Sequence, residues 1–168
     1  MRFWLLDSIE SFEPDRQLTG LKSVSYSEDY LEDHFPEFPV LPGVFMLEAA
    51  TQAAAWLLRL SDDMAHTIVV LREAKNIKYA NFVPPGKQLR VEVEQIKKEE
   101  RLATFKVEGT VEGHPTLSGR IVLDRYNLAD SDPHFAETDA RVRKYLRKIQ
   151  KAIVKPEVMA GVKTSAES

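Results

Sequence analysis

The feature that most limits what this chain can become is the segment Val44 to Leu60, which is apolar on every helical face except for Glu48, Thr51, Gln52 and the late Arg59. A helix that is hydrophobic all round belongs inside a protein. Yet at 168 residues, 43% apolar and 29% charged, the whole chain amounts to one domain with an appendage. Something must therefore enclose that helix. Glu48, Thr51 and Gln52 fall at i, i+3 and i+4, so they form one narrow polar stripe along it.

The enclosure is legible after Ser61-Asp62-Asp63, where the period changes to two. Thr67 to Leu71 is a β-branched run. Leu89, Val91 and Val93 alternate with Arg90, Glu92 and Glu94, and Phe105, Val107, Gly109 and Val111 alternate with Lys106, Glu108 and Thr110. Leu117, Gly119, Ile121 and Leu123 continue the rule, which is that of half-buried strands. Lys97 to Arg101 and Glu112-Gly113-His114-Pro115 stand where hairpin turns are required. Thr19 to Tyr26 reads as an earlier strand, and Ser27 before Glu28 and Asp29 resembles the cap of one or two helical turns. The expectation is an α+β fold, an antiparallel sheet wrapped around a long buried helix. Beyond a polar linker at 126–137, Val142, Tyr145, Leu146, Ile149 and Ile153 recur at helical spacing until Pro156. This predicts a basic amphipathic helix over 138–155 and a frayed tail over 156–168.

Several functions are excluded. With no cysteine there is no thiol nucleophile, disulfide framework or thiolate cluster, and His66, His114 and His134 lack ligand spacing to His34 or Glu48, so no metal is expected. A formal charge of −3 does not recommend nucleic acid. No apolar run reaches the ~20 residues of a membrane span, and Phe3 to Leu6 is too short for a signal peptide, so a cytoplasmic location is expected. There is no Gly-x-Ser-x-Gly elbow and no glycine-rich phosphate loop.

Chemistry concentrates instead in two places. His34 to Gly43 holds three prolines in ten residues, an ordered irregular loop with His34 at its start. Glu48 sits in the second turn of the buried helix, with Gln52 one turn on to orient it. A histidine and a carboxyl group aimed at one cavity take a proton from one atom and deliver one to a leaving oxygen. The Pro42-Gly43-Val44 junction adds free backbone N–H groups at a helix N-terminus, suited to a developing oxyanion. Taken alone, His34 also fits a surface histidine and Glu48 a paired structural carboxylate.

The text from His34-Phe35-Pro36-Glu37-Phe38-Pro39-Val40-Leu41-Pro42-Gly43-Val44 to Glu48-Ala49-Ala50-Thr51-Gln52 resembles the active-site signature of the hot-dog-fold 3-hydroxyacyl-[acyl-carrier-protein] dehydratases of type II fatty acid synthesis. Lys78-Tyr79 with Phe82-Val83-Pro84-Pro85-Gly86 continues it, and it covers 1–125. The resemblance implies a hot-dog domain that converts (3R)-hydroxyacyl thioesters to trans-2-enoyl thioesters without a cofactor, with Glu48 rather than aspartate favouring dehydration alone. It implies His34 as base at Cα, Glu48 as acid on the leaving hydroxyl, and the Gly43 and Val44 amides on the thioester carbonyl. Gln52 would support Glu48, and Phe35, Pro42, Phe45, Phe82 and Val83 would line an acyl tunnel. It further implies a homo-oligomer, at least a dimer, with histidine and carboxylate from different chains, and an acyl carrier protein as partner. A hot-dog thioesterase and a silent acyl-binding subunit are the alternatives. Residues 139–155 carry seven basic side chains against one acid, while Ala80 and Asn81 stand where the resemblance places basic residues. Arg143, Arg147 and Lys151 are accordingly expected to recruit the carrier.

Overall fold

The computed structural model describes residues 3–159; of the frayed tail expected over 156–168, residues 156–159 instead make a helical turn whose Val158 and Met159 pack on the core, and 160–168 lie outside the described residues. Six strands, β1 (Ser8–Glu13), β2 (Gln17–Ser23), β3 (Ile68–Tyr79), β4 (Gln88–Lys98), β5 (Leu102–Val111) and β6 (His114–Tyr126), form one sheet in the order β1-β2-β4-β5-β6-β3. Every pairing is antiparallel. Helix α2 (Gly43–Ser61) packs against the concave face. Its face toward the sheet is rich in alanine: Ala49, Ala50, Ala53 and Ala54 are fully buried beside Trp56, Leu57 and Leu58. Small side chains let the strands approach closely, and Leu89, Val91, Phe105, Val107, Ile121 and Leu123 fill the space between. The alternation in β4, β5 and β6 is thus the core face of the sheet, and both predicted hairpin turns fall where expected.

One element was not foreseen and three expectations need correction. The N-terminal segment contributes a strand of its own, β1, because Ile9 and Phe12 both turn inward across an irregularity between Ile9 and Ser11. Ser27 caps nothing: its hydroxyl meets Ser25 at 2.9 Å, and the single turn α1 (Tyr30–Asp33) starts after Asp29. β3 runs on to Tyr79, eight residues past the β-branched run, as an edge strand paired only with β6. Its irregularity between Lys75 and Lys78 packs over Gly119, where a Cβ would stand 2.5 Å from Ile77 Cδ1 and 3.1 Å from its Cα. Finally, α2 is not enclosed along its whole length, since Val44 is 65% exposed and Phe45, Leu47 and Glu48 are half-buried.

The connection after β6 makes two 3-10 turns, Leu128–Asp130 and Pro133–Phe135, before helix α3 (Ala136–Ile153). The polarity that reads as a linker is spent on holding α3 in place. Asp139, 3% exposed, accepts hydrogen bonds from the Thr67 hydroxyl, from Leu128 N at 3.2 Å and from Ala129 N at 2.9 Å. Burial pushes the Asp139 carboxyl up, but these donors outweigh it and hold it below the usual carboxylate value. Leu146 is buried, Val142, Ile149 and Ile153 pack on the core, and Tyr145 stacks 6.1 Å from Trp4, which lies 6.4 Å from Trp56.

Candidate active site

Two stretches far apart in sequence meet at the N-terminal end of α2. The Leu41 amide donates to the Val83 carbonyl at 2.9 Å, tying the proline-rich loop to the segment after β3. Ala80 N to Thr116 O at 2.9 Å and Asn81 Nδ2 to Pro115 O at 2.6 Å fix that segment to β6. Between them lies a cavity of about 280 Å³, mostly apolar in lining, reached by His34, Phe35, Gly43, Met46, Tyr79 and Phe82 and by the neighbouring Val40, Leu41, Ala80 and Asn81.

His34 follows α1 in extended conformation, and its ring lies 4.4 Å from that of Phe35. Phe35 adopts φ +53°, a left-handed conformation costly for a bulky side chain, and Phe38 N closes the turn onto its carbonyl at 2.7 Å. The strain sits beside the one imidazole that faces the cavity.

Gly43 is the first residue of α2. Among the described residues no acceptor meets its amide or that of Val44; the first N–H of the helix to find a carbonyl is that of Phe45, on Pro42 O at 2.9 Å. Those free N–H groups sit at the positive end of a 19-residue helix. Glycine is needed there for a close approach: a Cβ would stand 3.3 Å from two Tyr79 ring carbons. Burial pushes the Tyr79 phenol up, so it remains a neutral donor at physiological pH.

Glu48 does not reach this cavity. Its Oε1 accepts from Gln52 Nε2 at 2.8 Å; Gln52 Nε2 also donates to the Phe3 carbonyl at 3.0 Å, and Gln52 Oε1 accepts from Leu5 N at 2.9 Å. One amide side chain thus fastens the N-terminal segment to α2 and points at the carboxylate. Thr51, the third member of the polar stripe, returns its hydroxyl to Leu47 O of its own helix. Within one chain, then, His34 and the Gly43 amide share a cavity and Glu48 stands apart.

Of the expected tunnel residues, Phe35 and Phe82 line the cavity. Pro42 and Val83 are buried without lining it, and Phe45 packs edge-on against Phe3 at 5.3 Å and Tyr30 at 4.8 Å; Val44, expected only for its amide, has an exposed side chain. Tyr79 and Met46 were missed as lining residues. Met46 stands at i+3 from Gly43, the spacing that places it on the same helix face. No cluster of metal-ligating side chains occurs among the described residues. The basic side chains of α3 divide. Arg143 Nε donates to Met64 O at 3.0 Å, and Arg147 Nη2 pairs with Asp63 at 3.1 Å, so both clasp the turn after α2 rather than standing free. Lys151 is exposed.

An antiparallel sheet curled around one long helix, with a proline-rich loop closing the helix's N-terminal end, is the hot-dog architecture. Solved structures share it: the dehydratase heterocomplex ApeI:P from Xenorhabdus doucetiae matches with a TM-score of 0.64 at 18% identity, over 79% of this chain and 90% of that one. A mutant thioesterase from Pseudomonas aeruginosa matches at 0.57, also with 18% identity, over 71% and 81%. At the level of sequence, residues 10–120 match the ApeI-like family, described as ApeI dehydratase. The 3-hydroxyacyl-[acyl-carrier-protein] dehydratase FabZ of Solibacter usitatus is 38% identical over 131 residues, 77% of this chain and 78% of that protein. FabZ of Ruminiclostridium cellulolyticum is 32% identical over 119 residues, 71% and 84%. The chain belongs to the hot-dog dehydratase family.

Proposed function

We propose that this protein is a hydro-lyase that removes water from 3-hydroxyacyl thioesters carried on an acyl carrier protein, in fatty acid or related biosynthesis. The observation that carries the reading is the division of labour at α2: an imidazole and unsatisfied helix N-terminal amides share an apolar cavity, and a carboxyl group is held outside it by a dedicated glutamine.

The reaction follows from those groups. His34 takes the proton at Cα, and the charge passing to the thioester oxygen is met by the Gly43 N–H and the positive end of α2. A Glu48 carboxyl group protonates the β-hydroxyl, which leaves as water while the Cα–Cβ double bond forms. Proton, electron pair and leaving group balance within the substrate and these two residues, and no cofactor is called for.

Because Glu48 does not reach the cavity of its own chain, the complete site is built by two chains. β3 provides the means. It is a 12-residue edge strand with one unpaired side, carrying the exposed Val70, Leu71 and Tyr79. A long, open, partly apolar edge is a template for pairing, and a second copy satisfies it by a two-fold axis through the strand's middle. No helix among the described residues is long and apolar enough to cross a membrane, and a cytoplasmic location is part of the proposal.

The test is incubation of the protein with a 3-hydroxyacyl pantetheine thioester, following absorbance of the conjugated enoyl thioester and release of free thiol. Enoyl product without thiol is expected. Thiol release would make the protein a thioesterase, and unchanged thioester with binding retained would make it a silent acyl-binding subunit.

A further inference from the structure

The clasp formed by Arg143 and Arg147 leaves a different set of cations free. Arg141, Lys144, Lys148 and Lys151 are exposed and form no salt bridge among the described residues. Their spacing of three, four and three residues puts them on one stripe, about three turns long, along the outer face of α3. Together with Tyr145 and the flanks of the clasping Arg143 and Arg147 they line a shallow groove. The stripe is held rigidly, because Asp139, Leu146 and the two clasping arginines fix the helix to the core. A row of four like charges with no acidic partner among the described residues, on a chain whose formal charge is −3, is complementary to an acidic surface. A lipid surface fits it less well. The apolar side of α3 is already spent on the core, so nothing is left to enter a bilayer.

Its place in the fold gives the stripe a direction. Within one chain, the turn that Arg143 and Arg147 grip lies at the C-terminal end of α2, about 28 Å of helix from the Gly43 cavity. Thr67, which bonds Asp139, immediately precedes β3, whose other end is Tyr79 at the cavity. Pairing of β3 with a second copy about its middle sets Ile68 of one chain beside Tyr79 of the other. The base of α3 then stands next to the partner's cavity.

We propose that the stripe Arg141, Lys144, Lys148 and Lys151 is the docking surface for an acidic face of the carrier protein that bears the substrate, and that each α3 serves the cavity of the partner chain. This rests on the dehydratase and dimer reading above. The carrier is steered to the stripe by charge, and its arm reaches the cavity mouth at Tyr79 and Phe82.

The experiment replaces all four residues by glutamate in the full chain, with a second version carrying glutamine at all four in case the reversed one does not fold. Carrier-linked and small pantetheine-linked 3-hydroxyacyl substrates are compared at low and at high salt. With reversal, KM for the carrier-linked substrate is expected to rise about tenfold or more at low salt, and the gap is expected to shrink as salt screens the charges. kcat/KM for the small thioester stays within about twofold. An unchanged KM for the carrier-linked substrate, or an equal change for both substrates, overturns the proposal. So does loss of binding to phosphatidylglycerol vesicles with no change in KM, which would make the stripe a membrane contact. If the unmodified protein turns over neither substrate, the dehydratase reading itself has failed. The cross-chain arrangement is read from mixed dimers in which one chain carries His34→Ala: the KM penalty should appear when the reversed α3 is on the His34→Ala chain, and its appearance only with the reversed α3 on the other chain overturns the arrangement.

Discussion

Replacing Gln52 by alanine removes the side chain that hydrogen-bonds the N-terminal segment to α2 and reaches Glu48. Three hydrogen bonds go with it. The bond to the Phe3 carbonyl is exposed and contributes little. The Leu5 amide is different, since Leu5 is 4% exposed and its N–H is left without an acceptor; an unsatisfied buried donor costs about 1–3 kcal/mol. The lost contact to Glu48 adds about 1 kcal/mol. The expected destabilisation is therefore ~2–4 kcal/mol, which in a domain of this size lowers Tm by about 2–4 °C for each kcal/mol. Urea unfolding followed by tryptophan fluorescence reads it directly, because Trp4 and Trp56 lie beside the displaced segment. Gln52→Glu serves as the companion variant. It keeps an acceptor for Leu5 N but sets a carboxylate against Glu48 and the Phe3 carbonyl, so it should recover stability at low pH, where the pair shares a proton, and lose it again as pH rises. A loss below about 0.5 kcal/mol in Gln52→Ala would show that the glutamine does not fasten the segment, and the reasoning about its role would be wrong.

Further outcomes are expected elsewhere. His34→Ala and Glu48→Gln should each lower kcat by ~10²-fold or more with unchanged far-UV circular dichroism, and the double variant should lose little beyond either single one. Trp56→Ala should cost about 3–5 kcal/mol, but Trp56→Phe far less than its volume implies, because the indole N–H is buried without a partner; urea midpoints separate the two. Asp139→Asn should make stability less sensitive to acid. The carboxyl is held below its unfolded value, so its contribution is present above about pH 4 and is lost as pH falls through the folded pKa; the gap between the two proteins should close at low pH in urea titrations.

The parts of the fold visible in the sequence are those in which burial is one-sided and regular. β4, β5 and β6 each put one face on α2, so their alternation survives intact. β1 escaped because an irregularity between Ile9 and Ser11 places its two inward residues three apart, which breaks the period of two that marks a strand. β3 was cut short because an edge strand buries no face to impose a period, and Arg72, Glu73, Lys75 and Asn76 read as loop. At the site, local spacing brought out His34, Gly43, Glu48 and Gln52 as chemical groups. The lining by Tyr79 and Met46, and the separation of Glu48 from the cavity, depend on where β3 ends relative to α2, a tertiary fact. The same limit applied to α3. Its basic face was plain in the composition, but which cations were free depended on the turn at Asp63–Ala65 that two of them grip.

The measurement that bears most directly on a site shared by two chains uses the two inactive variants together. His34→Ala and Glu48→Gln proteins are mixed under conditions that exchange subunits, and formation of the enoyl thioester is followed. In a mixed dimer one site receives both mutations and the other receives neither. Random exchange should therefore restore about a quarter of wild-type activity, half the dimers being mixed and each carrying one intact site of two. Mixed dimers verified by mass that show no recovery would place His34 and Glu48 in the same chain's site and contradict the account.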